Sequence, residues 1–382
     1  KLTAFDYRSD REGTLTIEKN DMIISAFQPQ GRLMQVLFEP DSKSSDSISY
    51  DLTAWALPYV YNIEAYAVEE RLAAAETPYA VTAADRPADS IKPYAYAAPM
   101  TGFNELRFMA QLYKNGLNVR YSLKPFVTEG ITFGRGSVMV ARGDNMNVID
   151  FDGKVYDAAS KSSITAVRLS SGMVTEGKDI GSDYAPVNKA PVVALAGGEG
   201  TSQAFGEIWY YMERELEFPV TLIDGADLPD SDLSDYDILI LPGGDYTKAK
   251  DRIMSFVREG GRVIAIDNAM ALFRAEKTTE LGKATEAKEA EDKKSVKSTI
   301  GDTTLLTRYD DQRRISATER SSGAIFRVRL DDTHPYAFGM GKEWFLMKRN
   351  TGFPFLEKGR NIGYITDNKP VAGFAGYKFC QK

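Results

Sequence analysis

The chain has 382 residues, enough for two buried cores, and its 47 Lys and Arg against 54 Asp and Glu leave a formal charge of -7. That balance supplies no general attraction for nucleic acid, and no apolar run reaches the roughly eighteen residues that span a bilayer, so neither is expected as a partner. One cysteine, Cys380, and one histidine, His334, exclude an intrachain disulfide, a multi-Cys metal site and most chemistry that sets an imidazole beside a nucleophile; no metal or cofactor is expected.

From Asp21 to Glu39, DMIISAFQPQGRLMQVLFE reads as two strands around a Gln-Pro-Gln-Gly turn. The stretch YDLTAWALPYVYNIEAY follows, with Trp55, Tyr59, Tyr61 and Tyr66 close together. Core packing is one use of such aromatics, and stacking on sugars or peptides is another. Residues 75–93, AETPYAVTAADRPADSIKP, have the composition of a connector. A small β-α-β pattern comes next: YAYAA, a helix from Asn104 to Tyr113 closed by Asn115 and Gly116, then LNVRYSL. GSVMVAR and SITAVRL add further strands, so the first half is α/β or α+β.

Near Lys189 the pattern restarts with PVVALAG, GGEGTSQ, AFGEIWYYMEREL, VTLID, YDILILPGGD, AKDRIMSFVREGG and VIAIDNA. Apolar strands alternating with helices of ten or more residues predict a doubly wound, mostly parallel sheet with helices on both faces. Residues 275–297 are poor in apolar side chains and dense in charges of both signs, which suits a solvated insertion or a frayed helix. The tail, GAIFRVRL to VAGFAGYK, returns to short β-rich segments.

Three turns in the second half carry candidate chemistry. GGEGTSQ opens a helix after the first strand, but it matches neither G-x-G-x-x-G nor the P-loop, so phosphate is disfavoured; the stretch reads as a structural turn, with Glu199 as a polar site residue the alternative. LPGGD places Gly243 and Gly244 where backbone amides can stabilise an oxyanion. In GRVIAIDNAMALF a buried-strand run breaks at Asp267 and Asn268, where α/β hydrolytic enzymes display a Ser or Cys nucleophile. Ligands of open α/β sheets bind at the carboxyl ends of the strands, so Glu199, Gly243, Gly244, Asp245, Asp267 and Asn268 should border one crevice. As an ester-forming nucleophile Asp267 would need a base for the second half-reaction, and His334, in DDTHPYAFGM, is expected instead to satisfy a turn before Pro335. The neighbouring Asp331 and Asp332 fix no glycosidase geometry.

On these residues the second half resembles the class I glutamine amidotransferase-like (flavodoxin-like) fold, whose fourth strand typically leads into G-I-C-x-G. That alignment puts Asp267 at the nucleophile position and keeps the PGG turn, while the H-x-E partner pair has no counterpart because Pro335 and Tyr336 follow His334. FQPQGRLMQVLFEPDSKSSDSISYDLTAWALPYVYNIEAYA, LNVRYSLKPFVTEGITFGRGSVMVARGDN, VVALAGGEGTSQAFGEIWYYME, GAIFRVRLDDTHPYAFGM and NIGYITDNKPVAGFAGYK resemble, in order, the region after the catalytic domain in large zinc carboxypeptidase-family proteins of Bacteroidetes. The H-x-x-E zinc ligands and later His of that family are missing. The resemblance implies a periplasmic or extracellular setting and an adjoining peptidase domain or a cell-envelope peptide or glycan as partner.

The expectation is therefore an α/β protein of two domains, 1–190 and 191–382, the second with a degenerate amidotransferase-like site. Its expected role is that of a non-catalytic accessory module. A hydrolase using Asp267 and a carbohydrate-active or carbohydrate-binding protein using the aromatics are the alternatives.

Overall fold

Strands with every residue buried form the centre of both larger sheets: Ala95–Ala98 and Val138–Ala141 in one, Val193–Ala196 in the other. A strand covered on both faces has no place for a polar side chain, which is why these segments read as unbroken apolar runs. The computed structural model describes residues 1–19, 21–40, 53–73, 92–198, 200, 202–295, 308–358 and 360–380.

The first of these sheets is antiparallel, ordered Val187–Asn188, Val119–Tyr121, Val138–Ala141, Ala95–Ala98, Val167–Leu169. Because Val138–Ala141 inserts between Ala95–Ala98 and Val119–Tyr121, the expected β-α-β pattern is a split one, completed by a second helix and a further strand. Helices Phe103–Lys114 and Phe151–Lys161 cover one face, with Phe108, Leu112 and Val155 fully buried against Tyr96 and Val140. Each such side chain contributes roughly 1.5–3 kcal/mol by leaving water. The other face is closed by the hairpin Phe126–Thr128 to Ile131–Phe133 and by Ile180 and Ala185. Arg120 pins that cover: it donates to the Ala185 carbonyl at 2.7 Å and holds Asp144 with two bonds of 2.6 and 2.9 Å.

In the second sheet all four strands are parallel, ordered Thr221–Ile223, Val193–Ala196, Ile238–Leu241, Arg262–Ala265. Helix Lys250–Arg258 buries Ile253 and Phe256 on one face. The other face takes helix Ser202–Trp209, which runs on as the π-helical turn Tyr210–Glu215, together with Ala110. Ala110 belongs to the helix Phe103–Lys114, so one helix sends Phe108 and Leu112 into the first core and Ala110 into the second. Glu217, just beyond the π turn, fastens the junction by accepting from Lys114 at 3.0 Å and Arg107 at 3.1 Å.

The segment expected as two strands at Asp21–Glu39 holds a helix, Gly31–Phe38. Leu33, Met34, Leu37 and Phe38 recur at helical spacing, and the carbonyls at the helix end are taken by Trp55 Nε1–H (to Val36, 2.9 Å) and the Tyr7 hydroxyl (to Phe38, 2.6 Å). A third core joins the two ends of the chain: Tyr7 and Tyr59 from the start pack with Ile325, Phe345 and Ala372. Its sheets are Arg11–Leu15, Leu2–Asp6, Tyr66–Ala67 and Glu343–Lys348, Ala324–Leu330, Gly363–Ile365. A single cut at 190 falls between the two larger sheets and also divides this third core. The charged segment carries the helix Glu280–Ser295, anchored by buried Leu281 and Thr285 and exposed from Glu286 to Ala290. The connector expected at 75–93 lies almost wholly outside the described residues. No helix among the described residues is long and apolar enough to cross a membrane.

Lys114 first, then Arg107, hold the Glu217 carboxyl down to about 2. A carboxylate whose folded pKa is depressed stabilises the fold above its ordinary value and loses that contribution as pH falls through the folded one. Because the partners are partly exposed, Glu217→Gln is expected to cost only about 0.5–1 kcal/mol at neutral pH. Urea denaturation from pH 7 to 3 should show this difference closing below the ordinary carboxylate range. A difference independent of pH would mean the ion pairs are not made.

Candidate functional site

The carboxyl ends of the parallel strands gather most of the turns singled out in the sequence. The last ladder bond of the fourth strand runs from the Ile266 N–H to the Leu241 carbonyl at 3.0 Å, and the next residue, Asp267, takes φ +50°. A left-handed backbone costs a non-glycine residue roughly 1–2 kcal/mol, least for Asn and Asp, whose short polar side chains bond locally. The chain then turns through Asp267–Met270 into the short helix Ala271–Arg274. Strand, strained residue and helix follow as they do where a nucleophile is displayed at a sheet edge.

The PGG turn abuts this elbow. A Cβ on Gly243 would stand 2.9 Å from Asn268 Oδ1 and 3.6 Å from the Asp267 Cβ, so a side chain there would displace that of Asn268. Gly244, buried, belongs to the same turn. Asp245 is exposed and turned back on its own loop: it accepts from the Thr247 N–H at 2.9 Å and the Thr247 hydroxyl at 2.6 Å, which hold its carboxyl below the usual range. Beneath the turns lies buried Tyr246, its phenol pushed up by burial and its oxygen 2.9 Å from the Pro242 carbonyl and 3.1 Å from that of Ala196. It ties the end of the first strand to the end of the third. Gly243, Gly244, Asp245, Asp267 and Asn268 therefore cluster along neighbouring turns, while Glu199 lies outside the described residues.

Two residues at the elbow were not singled out in the sequence. The Thr351 hydroxyl donates to Asp267 Oδ1, and the Lys348 ammonium donates to the Thr351 carbonyl. Lys348 ends the strand Glu343–Lys348 and lies over the Phe379 ring, 5.3 Å from its centroid. Burial lowers its pKa from the usual lysine value, and the negative charge of Asp267 works the other way. No motif announces this pair, because a different sheet, distant in sequence, delivers it. KRNTGF reads as an ordinary strand end and turn.

His334 satisfies its own turn, as expected: Nδ1 accepts from the Tyr336 N–H at 3.2 Å, and the ring meets Tyr336 edge-on. The aromatic group divides. Tyr59 is core, 4.8 Å from Phe345 ring to ring, whereas Trp55 and Tyr66 are partly exposed and Tyr61 is 68% exposed. Among the described residues no group of three or more His, Cys, Asp or Glu side chains is placed to hold a metal ion. Comparison with family models, curated proteins and solved structures returns no match.

The strained elbow yields a paired prediction. Asp267→Gly and Asp267→Ala both lose the Thr351 bond, but only alanine retains the penalty of positive φ, so the glycine variant should be the more stable by about 1 kcal/mol. Chemical denaturation of the two proteins measures the difference. Equal stabilities would show that residue 267 does not adopt the left-handed turn.

Proposed function

We propose that this chain is a non-catalytic accessory module that holds a peptide or a partner at the carboxyl edge of its parallel sheet. The observation that carries this reading is the state of the elbow. Thr351 holds one oxygen of the Asp267 carboxylate, and the one imidazole of the chain is engaged in its own turn. Covalent catalysis by a carboxylate needs a base to activate water for the second step, and no histidine serves Asp267 as one. What remains is an anionic, backbone-rich rim suited to binding an extended ligand with free N–H groups.

The order of the four parallel strands, with the first flanked by the second and third, supports the flavodoxin-like, amidotransferase-like type expected from the sequence. The setting we propose is the one implied by the sequence resemblance: an exported zinc carboxypeptidase-type protein, for which this module positions cell-envelope peptide.

One observation favours a second reading. With its pKa lowered by burial, Lys348 supplies, beside Thr351 and Asp267, a base that histidine does not. On that reading the chain hydrolyses amides or esters, and the rate rises with pH as the amine loses its proton.

A panel of amide and ester substrates, with and without zinc, separates the two. The module reading expects no turnover above the uncatalysed rate and binding of envelope-type peptides that weakens in Gly243→Val, where the new side chain fills the turn. Zinc-dependent peptide hydrolysis, or turnover abolished by both Asp267→Asn and Lys348→Met, would overturn it in favour of an enzyme.

A further inference from the structure

A cavity of about 580 Å³ opens on the other side of the central strand Val193–Ala196 from Asp267, at the carboxyl ends of the first two parallel strands. Its size lies in the range of sites for small organic molecules. Glycine backbone forms much of its wall, and a Cβ on Gly225 would fall 2.4 Å from the Gly197 carbonyl oxygen, so the two loops meet main chain to main chain. Against this polar backbone stands an apolar side, half-buried Phe205 with Leu222, which is 47% exposed.

Asp224 is the one charged side chain lining the cavity among the described residues. It sits immediately after the second strand, and its geometry is fixed locally. Oδ1 accepts from the Ala226 N–H at 2.8 Å, and its main-chain carbonyl accepts from Asp227 at 3.1 Å and Leu228 at 3.0 Å. Oδ2 has no hydrogen-bond partner among the described residues. A carboxylate at the tip of the second strand of a parallel sheet, beside the glycine-rich turn of the first, is placed to accept from the two hydroxyls of a vicinal diol.

We propose that this cavity is a ribonucleoside site, in which Asp224 holds the ribose hydroxyls and the base lies on Phe205 and Leu222. Charge decides between a nucleoside and a nucleotide. No Lys or Arg among the described residues lines the cavity, the glycine turn lacks the spacing that cradles a pyrophosphate, and the Asp224 carboxylate repels an added phosphate. The site is separate from the Asp267 elbow, and either can fail without the other.

Isothermal titration of the full chain with adenosine, guanosine, cytidine and uridine tests the proposal. At least one should bind. Its 2′,3′-dideoxy analogue should bind about 10-fold more weakly or worse, the loss expected for one charge-assisted hydrogen bond, and its 5′-monophosphate should bind no more tightly than the nucleoside. Asp224→Asn keeps the acceptor for Ala226, so the turn survives, and should weaken binding by a similar factor. Leu222→Gln, at an exposed strand position, should weaken it through the base. Absence of binding by all four nucleosides, equal affinity for the dideoxy compound, tighter binding of the monophosphate, or full affinity in Asp224→Asn would each overturn the assignment.

Discussion

One helix has to be apolar on two sides. Phe103–Lys114 presents Phe108 and Leu112 to the antiparallel sheet and Ala110 to the parallel one, and small, straight-sided alanine is what lets the second sheet come close. Two separate cores packed against a shared rigid rod cannot slide independently, because each interlocked side chain resists displacement at crystal-like packing density. Arg107 and Lys114, on the same helix, reach Glu217 and close the join with charge. The position of the parallel sheet, and with it every turn at its carboxyl edge, follows from that helix.

At that edge the chain makes a strand-to-helix turn with a left-handed residue at its tip. A left-handed residue after this edge strand is a strained device, and such strain persists only where surrounding contacts fix it. Here one fixing contact is the hydroxyl of Thr351. Aspartate is among the side chains that tolerate such a turn best.

The parallel half was legible in the sequence because burial on both faces leaves a signature no other element shares: VVALA and ILIL are short, apolar and bounded by glycine or acid, whereas VIAI, expected as a buried run, is the edge of the sheet with Ile264 48% exposed. The helix Phe103–Lys114 announced itself through its Asn115-Gly116 stop, where Gly116 takes φ +75°. Asp21–Glu39 misled, because Leu33, Met34, Leu37 and Phe38 form a helical stripe behind a Pro-Gly turn signal that also starts hairpins. The neighbouring turns at Gly243–Asp245 and Asp267–Asn268 follow from one general rule about strand ends. Thr351 and Lys348 do not, since they reach Asp267 through tertiary packing between 84 positions of sequence, which no local pattern encodes. Asp224 also passed unremarked, as a lone acid in VTLIDG acquires meaning only once its strand is known to lie beside the first.

The third core has a consequence for biosynthesis. Thr53 bonds to the Ser322 carbonyl across 269 positions, and Tyr7 and Tyr59 wait for Phe345 and Ile325 to cover them. A ribosome delivers those partners after the strands of both larger sheets, so the early aromatics emerge without shelter and stay so while those sheets condense. Closing so long a loop is entropically slow, and this seam is the step at which a nascent chain is most open to chaperones, to proteases and to pairing with its neighbours.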